Sequence, residues 1–140
     1  MSDDLYQQAI MERAKSRVGA GRLANPTASA TVDNPLCGDR ITLDLTLTNG
    51  TIAAVGHQVR GCALCQASAS VIAATAIGQT PDTGLAGRNI LREVLGGKEA
   101  APPWTDLGIF APVQRHKSRH DCVLLPFEAL ARALAQTGKP

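Results

Sequence analysis

The sequence predicts an α+β fold, a three-stranded antiparallel sheet with helices packed on it, opened by an N-terminal helix and closed by a long C-terminal one. Three observations carry this reading. From Ile41 to Thr48 apolar and polar residues alternate strictly, as they do in a strand with one wet face. Asn49-Gly50 follows, the strongest short hairpin signature, and residues 51–59 return as the partner strand. On both sides of this hairpin, apolar residues recur at helical spacing, so helices must supply the second layer.

Each element follows in turn. Leu5, Ile10, Met11 and Ala14 share one helical face, predicting a helix over 4–17 with Asp3 or Asp4 as its cap and Gly19 and Gly21 ending it. Residues 28–32 form a short strand candidate that runs into the Asn34-Pro35 break. Gly61-Cys62 ends the return strand of the hairpin. Residues 68–77 read as a helix closed by Gly78. Ile90, Leu91, Val94 and Leu95 predict another, begun after Pro81 and stopped by Gly96-Gly97. Residues 98–118, with Pro102, Pro103 and Pro112, read as loop with one short helix around Trp104 to Phe110. The last helix carries Leu124, Leu125, Phe127, Leu130 and Leu134 on one face. Placing Pro126 in its first turn, where the missing N–H costs little, starts it at Asp121 or Cys122.

The 140 residues fit one domain, 1–140, and 44% apolar content suffices for a core without covalent staples. Aromatic residues make up only 3%, too few to stack nucleobases, and a net charge of +2 is far from a nucleic-acid-binding footprint. Basic residues gather at Arg13, Lys15, Arg17 and Arg22, which read as solvated surface, and again at Arg115, Lys117 and Arg119, beside Cys122. No stretch is long and apolar enough to span a membrane, and the acidic opening lacks the features of a signal peptide. The expectation is a cytoplasmic protein that binds neither nucleic acid nor membrane. In that reducing compartment, four cysteines read as ligands or reactive groups before disulfides.

Three of those cysteines stand at element boundaries. Cys37 precedes the first hairpin strand in Asn34-Pro35-Leu36-Cys37-Gly38-Asp39, and Cys62 follows the second. Antiparallel pairing therefore brings both thiols to one end of the sheet. Cys122 opens the last helix, whose positive end favours a thiolate. With the Asp39 carboxylate these make a soft tetrahedral donor set: Cys37, Asp39, Cys62 and Cys122. Zinc suits it best, and iron or an iron–sulfur cluster could use the same thiolates. Three thiolates and a carboxylate around a dication leave negative charge that Lys117, Arg119 or His120 could offset. Cys65 admits three readings: half of a Cys62-x-x-Cys65 redox pair, an alternative ligand, or packing. His57 sits mid-strand with no evident partner.

Taken together, the motifs resemble the U-type iron–sulfur assembly proteins, the family of SufU, IscU and the NifU N-terminal domain. The likeness rests on residues 5–11, on Asn34-Pro35-Leu36-Cys37-Gly38-Asp39-Arg40-Ile41, on Gly61-Cys62 with Ala67-Ser68-Ala69-Ser70, and on Arg119-x-x-Cys122. The long interval from Cys62 to Cys122 and the lack of a His-Cys pair or Leu-Pro-Pro-Val signal are similar to the SufU branch. That resemblance implies a zinc site of Cys37, Asp39, Cys62 and Cys122. It also implies a PLP-dependent cysteine desulfurase, SufS-like, that passes persulfide sulfur to Cys37. The alternative it implies is a scaffold that builds a [2Fe-2S] or [4Fe-4S] cluster for downstream SUF scaffold or apo iron–sulfur proteins. Two positions depart from the pattern: Cys65 is additional, and Asp121 replaces the usual Lys or His.

Overall fold

Asn49 and Gly50 both adopt positive φ, 54° and 80°, so the hairpin closes with the turn that its sequence demands. The computed structural model of the chain describes residues 7–35 and 38–137. Around this turn β2 (Asp39–Thr48) pairs antiparallel with β3 (Thr51–Arg60), and β1 (Ala28–Asn34) pairs antiparallel on the other side of β2. The sheet order is β1-β2-β3, as expected, with β1 two residues longer than its hydrophobic pattern suggested. A bulge near Thr46 and Leu47 adds twist close to the hairpin tip.

Helices cover one face of this sheet. α2 (Ala63–Thr75) and α4 (His120–Ala135) pack on it directly, while α1 (Gln8–Ser16) packs against α2 and α3 (Pro81–Leu95) against α4. Ile41, Leu43 and Leu45, the apolar set of β2, are fully buried beneath them. The expected cap at Asp3 or Asp4, and Leu5, lie outside the described residues. Within them, α1 ends on Arg17 in a left-handed conformation, ahead of the glycines expected to stop it.

α2 begins at Ala63, five residues before the predicted start. Its cap is Cys62 in extended backbone, with no side-chain cap bond, so the usual Ser/Thr/Asp/Asn signal is missing. α3 is a single helix from Pro81, capped by the Thr80 hydroxyl, which accepts from the Thr83 N–H. It ends in a Schellman motif, with Lys98 N–H donating to the Glu93 carbonyl and Gly97 N–H to that of Val94. Gly97 takes φ 103°, which is why the glycine pair stops the helix.

The short helix expected around Trp104 to Phe110 is present as a longer 3-10 helix, Thr105–Arg115, and Lys117–Arg119 adds a second 3-10 turn where loop was expected. The longer of the two buries Leu107, Phe110 and Val113 against the body of the domain. Trp104, just before it, meets Phe127 edge-to-face with centroids 5.3 Å apart, and its indole N–H donates to the Thr83 carbonyl. α4 starts at His120, so Pro126 is its seventh residue and not in the first turn as predicted. Burial of Pro126 and its neighbours on the apolar face holds the helix together through the missing bond.

One connector runs between α1 and β1 over the sheet. His57 N–H donates to the Gly19 carbonyl, and Gly21 N–H donates back to His57. The His57 imidazole Nε2 donates to the Val18 carbonyl at 2.7 Å, which supplies the partner its sequence context did not reveal. On the opposite sheet face, the buried Asp44 carboxylate accepts from Arg22, from Ser29 and from the Leu23 N–H. Arg22, read from sequence as solvated surface, is thus half of a structural ion pair.

Candidate metal centre

Three separate stretches of chain meet at one end of the sheet. Asp39 is the first residue of β2. Cys62 lies two residues past the end of β3, and Cys122 is the third residue of α4. Because Arg40 pairs with Arg60, Asp39 and the β3–α2 junction must stand side by side. The Cys62 thiol lies 3.7 Å from Asp39 Oδ2, to which it donates. One ligand atom each from Asp39, Cys62 and Cys122 lies within 4.8 Å of the other two. Tetrahedral zinc bonds of about 2.0–2.3 Å separate their ligands by roughly 3.5–3.8 Å, so a small inward adjustment closes the set.

Local chemistry explains why this geometry forms. A Cβ at Gly61 would lie 2.7 Å from Asp39 Cγ and 2.8 Å from Oδ1, so only glycine leaves room for the carboxylate. Ser68, fully buried in α2, donates its hydroxyl to the Val123 carbonyl at 2.7 Å. That bond ties α2 to the first turn of α4, next to Cys122. Cys122 itself is buried, and the amino end of α4 directs its positive dipole at the thiol.

The donor set fits a cation. Asp39 is only 6% exposed, yet among the described residues its carboxylate has a single polar partner, the Cys62 thiol. A buried carboxylate served by one weak donor is costly unless a cation offsets its charge. Two sulfurs and one carboxylate oxygen are a borderline-soft combination that suits zinc or iron better than magnesium or calcium.

The other residues singled out from sequence are placed as follows. Cys37 lies outside the described residues. Cys65 is in the first turn of α2, fully buried in the core, and is not one of the three converging groups. Arg119 is half-buried directly before α4. His120 turns to the 3-10 segment, where its Nε2 bonds the Val113 and Gln114 carbonyls at 3.1 and 3.0 Å. Asp121 is exposed in the first turn of α4, where the helix dipole favours it, and it lines a groove with Asn34, Pro35, Arg92 and Arg132. Sequence reasoning missed the roles of Ser68 and Gly61. The only signal for either was its presence within a motif.

The profile of the NifU-like N-terminal domain matches residues 5–136. The chain belongs to that family. This NifU-like domain is 31% identical over 137 residues to a Bacillus subtilis protein named zinc-dependent sulfurtransferase SufU, covering 96% of this chain and 92% of that one. It is 25% identical to the iron–sulfur cluster assembly scaffold protein IscU of Thermotoga maritima, covering 97% and 96%. The crystal structure of a NifU-like N-terminal protein from Brucella abortus superposes with a TM-score of 0.91 at 38% identity, covering 97% of this chain and 96% of that one. A Fervidobacterium islandicum protein described as a candidate iron–sulfur cluster assembly scaffold for the SUF system gives 0.88 at 29% identity, covering 96% and 99%. The three-stranded sheet and its helical cover are therefore those of the iron–sulfur assembly family. In this NifU-like domain, no helix among the described residues is long and apolar enough to cross a membrane.

Proposed function

We propose that this NifU-like domain is a sulfur carrier, which accepts persulfide sulfur on Cys37 from a PLP-dependent cysteine desulfurase at a zinc site of Cys37, Asp39, Cys62 and Cys122. The convergence of Asp39, Cys62 and Cys122 within 4.8 Å is the observation that carries this reading. Its support from relatives is the B. subtilis protein named as a zinc-dependent sulfurtransferase. Cys37 is two residues from Asp39, and chain connectivity keeps their Cα atoms within about 7 Å. When bound, zinc supplies positive charge that favours thiolates over thiols at neutral pH.

The chain's own residues account for the rest. Asp39, held in the space left by Gly61, contributes a harder and weaker ligand than a fourth sulfur, and this favours exchange at the site. The Cys37 thiolate attacks the outer sulfur of the partner's persulfide. A new S–S bond forms to Cys37, the partner's S–S bond breaks, and the partner cysteine leaves as a thiolate. No oxidant is consumed. Arg119, at the start of α4, is proposed to offset the negative charge of the thiolates. Cys65, buried in α2, is assigned to packing. The chemistry belongs in the reducing cytoplasm, where thiols persist.

Cys37→Ser is expected to abolish stimulation of desulfurase turnover while Cys65→Ser retains it. Undiminished stimulation by Cys37→Ser would sink the assignment. A second reading is favoured by the relatives named as scaffolds: a cluster assembled on the same ligands and handed to apo-proteins. Anaerobic reconstitution with iron and sulfide separates the two, because only a scaffold yields a stable chromophore that transfers.

A further inference from the structure

The outer face of the sheet, at the end that holds the ligands, carries an unusual pair. Arg40 and Arg60 stand directly opposite each other on β2 and β3, and both are exposed. Like charges in directly opposed positions destabilise a sheet. Asp33 binds Arg40, its carboxylate 2.5 Å from the guanidinium Nε. Arg60 has no ion pair with any described residue.

Two surface depressions meet at this pair. One, of about 340 Å³, is lined by Arg40, Thr42, Gln58 and Arg60. The other, of about 380 Å³, shares Gln58 and Arg60 and is bounded by Arg17, which the left-handed turn after α1 leaves exposed. Neither is lined by an Asp or Glu, whereas the groove beside Asp121 mixes three carboxylates with two arginines. Asp33 offsets Arg40, but Arg60 and Arg17 have no ion pair with a described residue, and in a chain of net charge +2 these two form a local positive field. Thr42 and Gln58 add neutral hydrogen-bonding groups between them.

We infer that this face, centred on Arg60 with Arg40 and Arg17, docks an acidic segment of the protein that delivers sulfur to the neighbouring centre. The inference rests on the sulfur-acceptor reading above. Position argues for that partner: Arg40 directly follows Asp39, and Arg60 lies two residues before Cys62. Successive strand residues point to opposite faces, so Arg40 lies on the outer face while the Asp39 carboxylate lies on the helix-covered one, and a partner gripping Arg40 reaches the ligands around the end of the sheet. Such a partner can reach over the sheet end without disturbing the helical layer. Nucleic acid fits less well, because the patch has few cations, one of them already paired with Asp33, and no Phe, Tyr or Trp on which a base could stack, while the His57 ring is buried.

The test titrates the full chain into its desulfurase and reads turnover against concentration, for wild type, Arg60→Glu and Arg60→Lys, with zinc content measured for each. Arg60→Glu is expected to raise KM about tenfold or more at unchanged kcat, Arg60→Lys to stay near wild type, and all three to hold equal zinc. Moderate salt should weaken the wild type and leave Arg60→Glu little changed. A KM for Arg60→Glu within about twofold of wild type overturns the proposal. So does a fall in kcat with loss of zinc, which would make Arg60 a support of the centre. Tight binding of a labelled oligonucleotide that Arg60→Glu abolishes, with KM unmoved, assigns the face to nucleic acid instead. If unmutated protein fails to stimulate the desulfurase at all, the sulfur-acceptor reading falls first and takes this one with it.

Discussion

At the scale of single residues, the centre depends on a side chain that is absent. Gly61 leaves the volume in which the Asp39 carboxylate turns toward the two thiols. Gly61→Ala should preserve the fold, seen as an unchanged far-UV circular dichroism spectrum, while zinc affinity in a chelator competition falls roughly tenfold or more. Unchanged affinity would mean that Asp39 is not held where the geometry puts it. Asp39 and Cys62 were legible in sequence because strand pairing alone forces them to one sheet end. Cys122 was legible only through its motif and its helix start, since nothing local says which sheet end α4 approaches. The fit of Gly61 against the carboxylate was illegible, because close approach across two strands leaves no trace in spacing.

At the scale of elements, α2 and α4 must keep register for Cys62 and Cys122 to converge. The buried Ser68 hydroxyl does this by reaching the Val123 carbonyl. Ser68→Ala is expected to cost about 1 kcal/mol in urea unfolding and to weaken zinc binding in the same protein. A variant with wild-type stability and affinity would show that the two helices are aligned by packing alone. The hairpin, α3 with its glycine stop and the closing helix could be read directly, since each carries a strong period together with turn or cap chemistry. The start of α2 could not, because a cysteine in extended backbone replaces the residue types that usually announce a helix. Pro126 misled in the other direction. Tertiary burial along α4 outweighs its local preference for a first turn.

At the scale of the molecule, two buried titratable groups fasten the connector between α1 and β1 from opposite sheet faces. Burial pushes the His57 imidazole below its ordinary 6.5, aided by nearby Arg17, although its bond to the Val18 carbonyl acts the other way. Burial would raise Asp44, but hydrogen bonds from Arg22, Ser29 and the Leu23 N–H, with the charge of Arg22, hold it below its ordinary 3.8. An imidazole that resists protonation when folded takes up protons more readily unfolded. Stability should therefore fall as pH drops through about 6.5 toward the lower folded value. The Asp44 contribution is present above about 3.8 and is lost only as pH falls through its lower folded value. Urea midpoints between about pH 7.5 and 5.5 should decline in the wild type and flatten in His57→Gln, whose amide can still donate to Val18. Equal slopes would remove His57 as the cause.

The three converging donors come from chain positions as far apart as Asp39 and Cys122, on a strand start, a strand–helix junction and a helix start. An ion held by all of them is a staple across most of the polypeptide, closing loops of a length whose entropy in the denatured chain is large. Local fraying of any one of those segments opens the ring of ligands. A spectroscopically visible ion such as cobalt in that position would lose its signal at the first cooperative loosening of the domain, ahead of any change in helix content.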